Sequence, residues 1–121
     1  ARLKAKGAFT DQVGYVADLL PTCLDAAGLP PSGSGESLLQ ALLSPQKTRS
    51  RTLYWEHFGN KAIRQGDWKL VYGKPENDWE LYNLRTDPTE RQNLATAQPK
   101  RVAELRVAYA QWAEKMGIRE K

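Results

Sequence analysis

The chain has 121 residues and a mass of 13.6 kDa, enough for one domain with a modest core. Hydrophobic residues make up 40% of it, and four Trp and five Tyr can bury a large area, which argues against disorder throughout despite a mean hydropathy of −0.64. The net charge of +4 comes from scattered basic residues rather than a cluster, so no nucleic-acid partner is expected. No apolar run approaches the roughly 20 residues of a membrane span, so no membrane partner is expected either. One Cys excludes an internal disulfide, and one His with one Cys excludes an ordinary Cys/His zinc site built by this chain alone. The first residues are not followed by the apolar core of a signal peptide, and there is no initiator Met. The chain is thus expected to be mature, trimmed or part of something longer.

In chain order, the first expected element is a short helix over about 17–27. Asp18 is a candidate cap, Pro21 is tolerated in the first turn, and Gly28 supplies a left-handed stop. Leu20, Cys23, Leu24 and Ala27 recur at helical spacing and are expected to face inward. The breaker-rich stretch 30–35 follows, then a second short helix over about 36–43. From Arg51 the hydrophobic period changes to two, which predicts strands at about 52–58, 61–65, 67–73 and 78–84. Gly59-Asn60 and Gly66-Asp67 are expected to make the first two tight turns, and a longer loop containing Pro75 the third. After a turn at Asp87-Pro88-Thr89-Glu90, Pro99 opens a helix over about 99–116. Val102, Leu105, Tyr109, Trp112 and Met116 form its apolar stripe, and Gly117 ends it. A meander with one apolar face plus one striped helix predicts an α+β fold, a four-stranded antiparallel sheet packed against the C-terminal helix.

Residue types alone assemble no complete active site. Cys23 sits mid-helix among Leu residues, where a free Cys is ordinarily a small buried hydrophobe. His57 is the single imidazole available as a base, with no Gly-x-Ser-x-Gly elbow beside a Ser nucleophile. Gly33-Ser34-Gly35 lacks the preceding strand and following Lys of a phosphate loop. The carboxylate pairs Asp78/Glu80 and Asp87/Glu90 lie in or beside loops, and no clustered loop of carboxylates suggests a metal site.

A series of strings carries more than composition does. Asp18-Leu19-Leu20-Pro21-Thr22 followed by Ala26-Ala27-Gly28 is similar to a "D-x-x-P-T-x-x-x-x-A-G" segment of sulfatases, and Gly35-Glu36-Ser37-Leu38 resembles their "G-x-S-L" stretch. Residues 54–70 resemble the family's "W-E-H-x-G-N-x-A-(I/V)-R-x-G-x-W-K-L" hairpins. Glu80-Leu81-Tyr82-Asn83-Leu84, Asp87-Pro88-Thr89-Glu90 and Asn93-Leu94-Ala95 resemble its closing "E-L-Y-(D/N)-L-x-x-D-P-x-E-x-x-N-L-A". Order and spacing agree from about Gly7 to Gly117, so the chain resembles the C-terminal portion of an arylsulfatase-type enzyme of the alkaline phosphatase superfamily.

The resemblance implies that residues 1–46 are the helical tail of a larger α/β catalytic domain and that 47–121 are the C-terminal subdomain. It implies a parent that hydrolyses sulfate esters, with a formylglycine made from a Cys-x-Pro-x-Arg motif and a divalent cation, usually calcium. Both would lie upstream of Ala1, since Cys23 is followed by Leu24 and Asp25. No catalytic and no metal-binding residue is therefore expected here. The expected partners are the upstream catalytic domain and a sulfated small molecule or glycan. The family is exported in bacteria and lysosomal or secreted in animals, and nothing in the chain decides between these. The hairpin carrying Glu56, His57 and Asn60 approaches the active-site mouth in many relatives, which makes these three the candidate substrate-binding residues. Two other readings stay open: a free-standing α+β module for acidic glycans, and a nucleic-acid binder.

Overall fold

The computed structural model describes residues 7, 9–44, 49–73, 75 and 77–118, so the expected boundary at residues 46 and 47 lies outside the described residues. The chain divides into two compact units, 1–50 and 51–121. In the first, a 3-10 turn at Val16–Asp18 leads into α1 (Leu19–Ala26), and α2 (Leu39–Leu43) follows the loop. Gly28, at φ +71°, closes α1 as expected, with Leu29 N–H donating to Leu24 O and Gly28 N–H to Asp25 O.

Asp18 does something other than cap α1. Its side chain is fully buried, and its carboxylate accepts the Tyr15 N–H (2.7 Å) and the Glu36 N–H (2.9 Å). Thr22 Oγ1 donates to the Asp18 carbonyl (2.6 Å) and accepts the Leu38 N–H (2.9 Å), and Ser37 Oγ donates to the Asp25 carboxylate. The two family strings are thus the halves of one hydrogen-bonded clasp. Gly35 lies at its closest approach, where a Cβ would come within 2.0 Å of the Ala17 carbonyl oxygen. The clasp explains two departures from expectation. The second helix starts at Leu39 rather than 36, because residues 36–38 are held in the clasp, the Glu36 amide on Asp18 and the Leu38 amide on Thr22. The face of α1 carrying Pro21, Thr22 and Asp25 turns towards the loop, so Leu20, Cys23 and Ala27 are exposed and only Leu24 of the expected inward set is half-buried.

The second unit is a meander of β1 (Thr52–His57), β2 (Asn60–Gln65), β3 (Trp68–Gly73) and β4 (Asp78–Asn83), antiparallel in that order, followed by α3 (Pro99–Lys115). The first turn is one residue earlier than expected. Phe58 (φ +51°) and Gly59 (φ +87°) take both positive-φ positions, and Asn60 pairs with His57 as the first residue of β2. The second turn falls on Gly66-Asp67, with Gly66 at φ +60°.

Alternation along the strands sorts the side chains to two faces. One carries Tyr54, Ile63, Trp68, Leu70, Trp79 and Leu81 and packs on α3 through Leu105, Tyr109 and Ala113, with Val102, Ala108 and Trp112 partly buried around them. The Trp112 ring stacks on Tyr54 at 4.9 Å between centroids. Ile63, Leu70 and Leu81 are fully buried, and burial of each such side chain stabilises by about 1.5–3 kcal/mol. Met116 leaves the expected stripe and is exposed. The helix has ended there, and the turn at Gly117 (φ +68°) brings Ile118 onto the core, its N–H bonded to Ala113 O at 3.0 Å.

Between β4 and α3 the remaining family strings act as fasteners. Asn93 Oδ1 accepts the Leu81 N–H (3.1 Å) and the Ala95 N–H (2.9 Å), and the Leu94 N–H donates to Leu81 O (2.8 Å). The outer edge of β4 is thereby covered, as an exposed edge strand otherwise invites pairing. Asp87 Oδ2 accepts the amides of Arg91 and Gln92, both at 2.8 Å, which shapes the turn that precedes Asn93.

Candidate functional site

The sheet face turned away from α3 carries Leu53, Trp55 and His57 from β1, Asn60, Ala62 and Arg64 from β2, Lys69 and Val71 from β3, and Glu80 and Tyr82 from β4. A groove of about 740 Å³ opens over it, its floor made by Trp55, Ala62 and Val71 and one rim by Leu84, Pro88 and Glu90 of the segment after β4. His57 and Asn60 stand together at the hairpin end, and Arg64 and Lys69 stand at the other.

Two of the three candidate residues are brought together here. His57 and Asn60 are cross-strand partners, and the Asn60 amide donates to the His57 carbonyl (3.1 Å). Asn60 fits because Gly73 lies beside it, where a Cβ would come to 3.0 Å from Asn60 Oδ1. The exposed His57 ring meets Phe58 edge-on at 4.5 Å. Glu56 is on the opposite face and does not line the groove. Its carboxylate folds back to accept the Gly59 N–H (3.0 Å), which ties the hairpin tip.

Trp55, Arg64 and Lys69 were not singled out from the sequence. The signal that finds them is alternation counted from His57 with the turn in its true register. Lys69 Nζ pairs with Glu90 at 2.6 Å, both partly exposed, joining the "W-K-L" string to the "D-P-x-E" string. Beside it, Tyr82 O–H donates to Glu80 (2.9 Å). Burial first, and then this carboxylate, push the phenol up to about 12.

Neither implied catalytic group fits the described residues. Among them no group of three or more His, Cys, Asp or Glu side chains could hold a metal ion. Cys23 stands exposed on α1, outside any Cys-x-Pro-x-Arg sequence. What the groove offers chemically is recognition: an indole floor, an amide, an imidazole and a guanidinium.

Residues 1–115 match the protein family described as N-sulphoglucosamine sulphohydrolase, C-terminal. An uncharacterized sulfatase of Schizosaccharomyces pombe is 32% identical over 112 residues, which cover 79% of this chain and 20% of that protein. A 2-O GAG sulfatase of known structure is 30% identical with a TM-score of 0.60, over 81% of this chain and 24% of its own. A protein solved with its substrate D-glucosamine-2-N,6-O-disulfate is 25% identical with a TM-score of 0.60, over 80% of this chain and 23% of its own. The chain therefore spans about a fifth to a quarter of the length of these relatives. With the strings of the sequence accounted for as clasp, hairpins and edge fastener, and the match running through all of them, the chain belongs to the C-terminal family of the sulfatases.

Proposed function

We propose that this chain is the C-terminal portion of a sulfuric ester hydrolase and that its groove contacts the sulfated substrate of that enzyme. The observation that carries this reading is the family match over residues 1–115, which includes the hairpin of His57 and Asn60. On this reading the nucleophile and the divalent cation come from upstream residues, and the 121-residue chain alone hydrolyses no sulfate ester. A second observation supports a larger parent. Val16, Leu19, Leu20 and Leu42 of the first unit are exposed at 73%, 63%, 55% and 44%, an apolar surface of the kind that ordinarily meets another protein surface. The partner there is the upstream catalytic domain. A sulfated sugar is the favoured substrate class, because Trp55 supplies a ring to stack on, while His57 and Asn60 supply donors for hydroxyl and sulfate oxygens.

His57→Ala and Asn60→Ala in the full-length enzyme test this. Groups that touch only the distal part of a substrate contribute binding energy without touching the nucleophile. KM should rise more than kcat falls, melting should stay unchanged, and small aryl sulfates that do not reach the hairpin should be spared. Unchanged kinetics on large and small substrates alike would remove both residues from the site. Calcium-dependent turnover of a chromogenic sulfate by the chain alone would refute the assignment of catalysis to upstream residues.

A further inference from the structure

Resting on that reading of the groove, we infer that Arg64 grips a second acidic group of the glycan, one distinct from the sulfate that is hydrolysed. Register places Arg64 directly opposite Lys69 on the same sheet face. Like charges facing each other across a ladder are unfavourable unless anions neutralise them. Lys69 has Glu90. For Arg64 the described residues give one bond, from Nε to the Gly66 carbonyl (3.1 Å). The nearby carboxylates are engaged elsewhere: Glu80 by Tyr82, Asp67 by Arg85, and Glu56 by the hairpin tip on the other face. Lys61 also lies on the other face, over the Tyr72 ring.

A half-buried guanidinium beside a second cation, its terminal nitrogens uncommitted among the described residues, is a position shaped for an added carboxylate or sulfate. Its place in the groove says which source. Arg64 is four residues from Asn60 along β2, about 13 Å at 3.3 Å per residue, with the Trp55 and Ala62 floor between them. Donors at one end, an aromatic floor and a cation at the far end suit an extended sugar chain that carries more than one anionic group.

The test titrates the full-length enzyme, its nucleophile replaced, with two probes, a carboxylate-free galactose disaccharide bearing one sulfate and its counterpart bearing two. Shifts of the Trp55 indole and Asn60 amide resonances give the affinities. Wild type should bind the two-sulfate probe about tenfold more tightly, as befits one charge-assisted contact. Arg64→Gln should abolish that preference, lowering the two-sulfate affinity to the level of the one-sulfate probe. Arg64→Lys, which keeps the charge and needs no refolding of the groove, should retain part of it. Equal binding of both probes by wild type, or a preference that survives in Arg64→Gln, overturns the inference but leaves the groove a sugar site. A lower melting temperature in Arg64→Gln with the preference kept would mean that Arg64 serves a protein contact, and also overturns it. Failure of both probes to move Trp55 and Asn60 would defeat the groove reading itself, and this inference with it.

Discussion

Asn93 is the sharpest test of how the second unit is held. Its exposed carboxamide places one oxygen between two backbone donors, Leu81 N–H at 3.1 Å and Ala95 N–H at 2.9 Å. Leu81 is fully buried, and its amide faces the open side of β4. Asn93→Ala removes this acceptor and with it both bonds. Each typical bond contributes about 0.5–1.5 kcal/mol net, so the loss should be about 1–3 kcal/mol. For a unit of this size that is a fall in Tm of roughly 4–8 °C per kcal/mol. Asn93→Asp keeps an oxygen in the same place and should recover most of the loss, which separates the missing acceptor from missing bulk. Denaturant titration of the three proteins measures the differences, and amide exchange at Leu81 reads the site directly. A loss under about 0.5 kcal/mol, or Asp no better than Ala, would show that the β4 edge is held by packing of Leu94 and not by the carboxamide.

Trp112→Ala should cost about 3 kcal/mol in denaturant titration, because the indole stacks on Tyr54 and meets Tyr109 at 5.5 Å; a loss under 1 kcal/mol would mean that α3 docks without it. Phe58→Asn should stabilise by about 1 kcal/mol, since an 87% exposed ring held at φ +51° gives way to a residue that tolerates the left-handed region, and thermal melting reads the gain. Stability should fall as pH rises from 10 to 12. The Tyr82 phenol, pushed up to about 12 from 10.0, holds its proton more tightly folded than unfolded, so its contribution is complete below pH 10 and lost through the folded value. In Tyr82→Phe that part of the profile should flatten.

Much of the second unit was legible because its signals are local. Period-two alternation, Gly66 at a tight turn, and a 3-4-3 apolar spacing on α3 each act within a few residues, and the strands and helix formed where they point. The exceptions have one cause, the choice between local options by distant atoms. Reading Gly59-Asn60 as the turn puts Trp55 opposite Arg64, whereas the turn at Phe58-Gly59 puts it opposite Ala62 and moves Asn60 onto the sheet beside His57. The Phe58-Gly59 turn places a non-Gly residue at positive φ, a cost that local propensity counts against it; the sheet accepts it, with the Glu56 carboxylate bonded to Gly59 N–H. Similarly, helical spacing alone favoured a buried Leu20 and Cys23, but the bonds from Glu36 and Leu38 to Asp18 and Thr22 turned α1 the other way. Composition, element order and family strings were thus properties of the sequence by itself. The face that His57, Asn60 and Arg64 share was decided by strand register, and the orientation of α1 by a side-chain bond across 18 residues, which only the folded chain brings within reach.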